Sequence, residues 1–222
     1  AQEQAASPAE ALDLYQRGVE AGELALGPDA FVEDIGHFWG LLETRPYMRA
    51  RHGLAMALWA LGKHDEAIGH YQDMLRLNPG DNQGIRYMLF NALLDLEREA
   101  EIETLLDRYG DDGAAAWLWG RVLFAFRRHG DSPATRDLLA VARKGNPHVV
   151  DYLLERKPLP AQQPDYITWG GKDEAQECAR DARAAWQGTP GALAWMEAVV
   201  GGDIVSATTR PRRSSGRKKT DG

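Results

Sequence analysis

The chain has 222 residues, 44% of them hydrophobic and 27% charged, which suits a soluble protein with a real core. No apolar run approaches the roughly 18 residues of a membrane span, and no segment has the three-part form of a secretory signal. A single cysteine, Cys178, excludes an intrachain disulfide and a cysteine-rich metal site, so a cytoplasmic location is the simplest expectation.

The chain opens at Ala1, and its first residues read as the second half of a helical hairpin, which leads to the expectation of a further N-terminal part. Ser7-Pro8-Ala9-Glu10 places a capping hydroxyl before a proline at the first helical position. From there the stripes repeat. Tyr47, Ala50, Leu54, Leu58 and Leu61 share one helical face, Gly62 breaks that helix, and Ala67, Ile68, Tyr71, Met74 and Leu75 form the next stripe up to Pro79. Ile85, Met88, Leu89, Ala92 and Leu96, then Ile102, Leu105, Leu106 and Tyr109, continue the pattern. Leu118, Val122 and Phe126, then Leu138, Leu139 and Ala142, complete it, with Ser132-Pro133 as a further start signal. No segment alternates as a strand would.

Two landmarks set the period. Gly62 and Gly130 are 68 residues apart, and so are the prolines of Asn78-Pro79 and Asn146-Pro147. Half of that is 34, the length of a tetratricopeptide unit. With Pro79 at position 32 and Met48 at position 1, the small residues Ala55 and Ala67 and the large Leu54 and Tyr71 take consensus places. The chain therefore resembles a tetratricopeptide protein, against the plainer alternative of a generic helical bundle. In the middle unit Glu97 stands for the glycine and Ile102 for a small residue, which predicts a slightly opened hairpin.

The stretches Gly36–Ala50 and Asp81–Tyr87 resemble a bacterial group of such proteins, and Asn146–Leu154 is similar to a stretch of the eukaryotic suppression-of-tumorigenicity-seven family. The resemblance spans about residues 8–200 and implies a helical repeat fold without an agreed activity. The expected architecture is all-α, a tetratricopeptide-type right-handed superhelix of stacked hairpins. Its array covers residues 1–156, with units near 8–35, 46–79, 82–112 and 114–147. The proline-rich residues 157–172 read as an extended linker, and residues 173–200 as a capping helix pair opened in part by Thr189-Pro190. Residues 201–222 read as a disordered basic tail. Six bases and one acid fall in 210–222, so the remaining 20 bases and 32 acids leave a body near −12 and a tail near +5. An acidic body is a poor partner for nucleic acid.

Chemical motifs are sparse. The six histidines show no metal-ligand spacing, Gly170-Gly171-Lys172 is only a fragment of a phosphate loop, and Asp111-Asp112 reads as a solvated loop. No cofactor is implied, and the expected function is a non-catalytic scaffold that binds a protein or peptide. The resemblance implies a concave groove lined by the first helix of each unit. Its positions are Arg49, His52 and Met56, then Gln83, Arg86 and Phe90, then Trp117 and Phe124, with Gly120 between them. Arginine forks suit the carboxylates of an acidic or C-terminal peptide, and aromatic and thioether groups suit an apolar anchor. The opposing reading pairs Arg49 and Arg86 with acids such as Glu43, so that Arg86→Ala would cost stability rather than affinity. A different class of function, an enzyme or a regulatory subunit of one, would use residues 36–50 and 81–87, with His37, Arg45 and Arg86 at its centre.

Overall fold

The computed structural model describes residues 7–163 and 166–208, and every regular element among them is helical. The chain forms two compact units, Ala1–Asp112 and Gly113–Gly222.

In the first unit α1 (Pro8–Glu33) starts as the sequence predicts, with the Ser7 hydroxyl accepting from the Glu10 N–H at 3.2 Å. It is longer than half a hairpin and breaks at Gly27 (φ 75°, ψ 165°), just before Pro28. α2 (Arg45–Ala60) lies close against it because glycines remove the intervening side chains. A Cβ on Gly22 would stand 3.0 Å from the Tyr47 Cβ, and one on Gly53 2.2 Å from the Tyr15 ring. Between the helices, the N–H groups of Gly36 and Phe38 donate to the Leu77 carbonyl at the end of α3 (His64–Leu77). That fastening buries Phe38 against Phe31 and Tyr47.

The hairpin turns follow one recipe. After α2, Gly62 takes φ 76°, its N–H donates to the Trp59 carbonyl at 3.0 Å, and that of Lys63 to Leu58 at 2.9 Å. This pair of bonds satisfies the last carbonyls of a helix. The turn from α4 (Ile85–Asp95) to α5 (Glu99–Arg108) repeats both bonds, Glu97 to Leu94 and Arg98 to Leu93. The sequence predicts a loosened hairpin here; instead Glu97 itself adopts φ 55°, and Ile102 is buried. The turn geometry is retained at the expense of a left-handed non-glycine residue.

In the second unit α6 (Ala115–His129) ends at Gly130 (φ 59°, ψ −146°), a conformation open to little but glycine. α7 (Pro133–Gly145) starts on the Ser132 cap, whose hydroxyl accepts from the Thr135 N–H. A five-residue α8 (Val149–Leu153) is followed by α9 (Lys172–Gly188) and α10 (Ala192–Thr208), and the described residues between α8 and α9, 154–163 and 166–171, carry no helix. Two expectations change. Thr189 does not cap with Pro190 at the first helical position: α10 starts at Ala192, and the Thr189 hydroxyl donates to the Ala185 carbonyl. The tail expected at 201–222 is helical at its start, where α10 runs on to Thr208, and the rest of it, 209–222, lies outside the described residues. The α9 side chain Glu174 ties the unit together. It accepts from the Ala115 N–H at the head of α6, from the Asn146 amide after α7 and from the Gly170 N–H.

Candidate functional site

Helix α2 presents a polar stripe because Arg45, Arg49, His52 and Met56 recur at steps of four, three and four, which keeps them on one face. Arg49 and Met56 are exposed, Met56 by 38%, while Arg45 and His52 are half-buried. The His52 Nε2 lies 2.9 Å from the Met88 sulfur on α4, so the stripe continues onto the neighbouring first helix. Burial holds the His52 pKa below the usual imidazole value, so at neutral pH it offers a hydrogen bond and no charge. Gln83, half-buried just before α4, has a side-chain oxygen shielded from solvent and without a hydrogen-bond partner.

Above the N-terminal end of the stripe stands Trp39. The Arg45 Nε donates to the Trp39 carbonyl at 2.9 Å, and the guanidinium carbons of Arg45 and Arg49 lie 5.5 and 5.7 Å from the indole centroid. Such distances are within reach of cation–π attraction. Neither arginine makes an ion pair among the described residues, and the expected partner Glu43 is not engaged by Arg49. The sequence places Trp39 in a family-like stretch but assigns it no role.

Arg86 behaves in the opposite way. Its Nη1 pairs with Asp81 at 2.9 Å, its Nε with Asp112 at 2.5 Å, and its Nη2 donates to the Tyr87 hydroxyl at 2.6 Å. The Tyr87 hydroxyl donates in turn to Asp112, and the Arg86 carbon stacks 4.4 Å from the Tyr87 centroid. Asp81 also accepts from the N–H groups of Ile85 and Arg86, so it caps α4 as well as pairing. Burial opposes the charge on Arg86, but the hydrogen bond to Asp112 and the two carboxylates outweigh it and hold its pKa above the usual value. The guanidinium has no free edge for an incoming carboxylate, which corrects its expected role in the groove. Asp112 is likewise no solvated loop residue: its side chain is only 7% exposed.

The aromatic part of the expected groove also changes. Phe90 is 1% exposed, Trp117 is fully buried and Phe124 is 8% exposed, with Arg128 over its ring. These rings are core, because in their helices the same face that packs the hairpin carries them. Gly120 is buried with them. The alternative catalytic reading at 36–50 and 81–87 loses Arg86 to its ion pairs. Elsewhere, complete burial pushes the Cys178 thiol well above its usual pKa, which keeps it protonated and unreactive. Among the described residues no three of His, Cys, Asp and Glu gather as a metal site, and no helix is long and apolar enough to cross a membrane.

A family model for the tetratricopeptide repeat matches residues 48–92. The match begins at Met48, the residue that the 34-residue register places first. The Suppressor of tumorigenicity 7 proteins of Macaca fascicularis, Rattus norvegicus and Mus musculus are each 29% identical over 217 residues, covering 87% of this chain. The alignment covers 40% of the macaque protein and 37% of the rodent ones, so the chain spans about two fifths of the length of these relatives. No solved structure matches. Period, turns and comparisons agree: the fold is an all-helical repeat of the tetratricopeptide type, with residues 48–92 matching the repeat model, and the chain is similar to the Suppressor of tumorigenicity 7 proteins.

Proposed function

We propose that this chain is a non-catalytic scaffold that takes an extended acidic or C-terminal peptide of a partner protein along the exposed stripe of α2 and its continuation on α4. The observation that carries it is the combination of two arginines without an ion pair among the described residues, the neutral His52 and the exposed Met56 on one helical face. A peptide laid along the stripe puts a carboxylate on Arg49 and an apolar side chain on Met56. Arginine–carboxylate contacts of this kind contribute roughly 1.5–3 kcal/mol when shielded. The expected setting is the cytoplasm, where repeat scaffolds of this type meet other proteins.

The test is comparative capture of partners from a lysate with the intact chain and with an Arg49→Ala/Met56→Ala double variant of unchanged circular dichroism. Proteins retained by the intact chain should be lost from the double variant. They should persist on Val141→Ser, which alters an exposed residue of α7. Equal capture by all three proteins would refute the stripe as the binding face.

A further inference from the structure

In a chain with 33 acids and 26 bases, cations normally find partners, and on the helices of the first unit most do. Arg51 pairs with Asp73, Arg98 with Asp65 and Glu101, and Arg86 with Asp81 and Asp112. Arg45 and Arg49 stand apart. They lie one turn from each other on α2, both against Trp39, and neither has a carboxylate among the described residues. Like charges at this spacing repel. The same end of α2 has no acid in its first turn, and the Thr44 hydroxyl is turned away to the carbonyls of Phe38 and Leu41 instead of capping it. The local field is positive from three sources at once, and the backbone bond from Arg45 to Trp39 holds one guanidinium in place.

We infer that the Arg45–Trp39–Arg49 cluster is a receptor for a phosphorylated hydroxyl side chain on the partner peptide. This rests on the scaffold reading above and names the group that the stripe recognises. Charge matching selects phosphate over carboxylate. A carboxylate carries one charge and is satisfied by one arginine fork. A phosphate monoester carries nearly two and offers three acceptor oxygens. Arg45, with its Nε committed, keeps both terminal nitrogens for a ligand, and Arg49 keeps its whole fork. Met56 lies seven residues beyond Arg49, roughly 10.5 Å along the helix, which is about three residues of extended peptide. The recognised motif is therefore a phosphorylated residue with an apolar residue three positions away.

The probe is a capped heptapeptide, Leu-Ala-Ala-phosphoserine-Ala-Ala-Leu, which presents the spacing in both chain directions. Its affinity for the full chain is measured by calorimetry beside the serine and glutamate versions and inorganic phosphate, with the Trp39 indole N–H followed by NMR. The phosphopeptide should bind at least tenfold more tightly than each of the other three and shift the Trp39 signal. Arg45→Ala and Arg49→Ala should each weaken it at least tenfold, whereas Arg76→Ala, an exposed cation paired with Asp73, should change nothing. A glutamate peptide that binds as well would overturn the phosphate assignment and leave the acidic-peptide scaffold standing. Inorganic phosphate that binds as well would overturn the peptide as its source. Phosphopeptide binding that survives both arginine substitutions, or no binding by any probe, would overturn the site itself, while the capture experiment judges the scaffold independently.

Discussion

Arg86 and Arg49 occupy first helices of adjacent repeats and read alike in sequence, yet their surroundings give them opposite work. Arg86 is 16% exposed and held by two carboxylates that are themselves 1% and 7% exposed. Arg49 is exposed, rests on an indole and has no carboxylate partner among the described residues. An arginine enclosed by acids contributes to stability and has nothing left for a ligand. One stacked on an aromatic ring keeps its hydrogen-bond donors for a partner. Residue type and repeat position therefore do not assign a role; the nearest carboxylate does.

The largest expected effect breaks this contrast from the structural side. Arg86→Ala strands Asp81 and Asp112 as buried charges, and such a change typically costs about 3–5 kcal/mol. Chemical denaturation of the full chain should show that loss, and peptide affinity measured at a temperature where the variant is folded should be intact. An unchanged midpoint would remove Arg86 from the framework.

Arg49→Ala should do the reverse. Peptide binding should weaken about tenfold, equivalent to about 1.4 kcal/mol, with stability moved by a few tenths of a kcal/mol, as for an exposed surface residue. Added salt should reduce the wild-type affinity as well, since a partly exposed ionic contact is screened. A variant that melts early and binds normally would make the two arginines alike after all.

A smaller effect tests the turns that set both helices in place. Glu97 carries the φ of 55° that glycine supplies at Gly62. Glu97→Gly should therefore stabilise by up to about 1 kcal/mol, and Gly62→Val should destabilise by about 1 kcal/mol or more. Thermal melts of the two variants should move in opposite directions.

The smallest expected effect concerns pH. Burial lowers the pKa of His52, and burial followed by the charge of Arg51 lowers that of His70. The unfolded chain then takes up protons more readily than the folded one. The stability that these neutral imidazoles contribute is complete above about pH 6.5 and declines as pH falls below it. The first unit should melt earlier at pH 5 than at pH 7.5, and His52→Gln should narrow that difference. A wider gap in the variant would contradict the burial argument.

The helix-ending Gly62 and Gly130, the Ser7 and Ser132 caps and the all-helical class were legible in the chain because each depends on neighbours within a turn or two, and the 34-residue period was legible because such local signals recur at fixed spacing. The resemblance to tetratricopeptide repeats, with the register set by Pro79, singled out Arg49, His52 and Met56, which share one face of α2. What the amino acids around Arg86 did not reveal is that Asp112, 26 residues onward, folds back beside it. Nor did the sequence around Trp117 distinguish a groove wall from a core face, since both demand an aromatic residue at the same repeat position. Glu174, which closes α6 from 59 residues away, left no local trace either. Hydrogen-bonded ends and apolar periodicity are short-range properties that a sequence carries openly. Which charge is neutralised and which remains available is settled only when distant segments are brought within hydrogen-bonding distance, because desolvation and ion pairing depend on the groups that packing places around each atom.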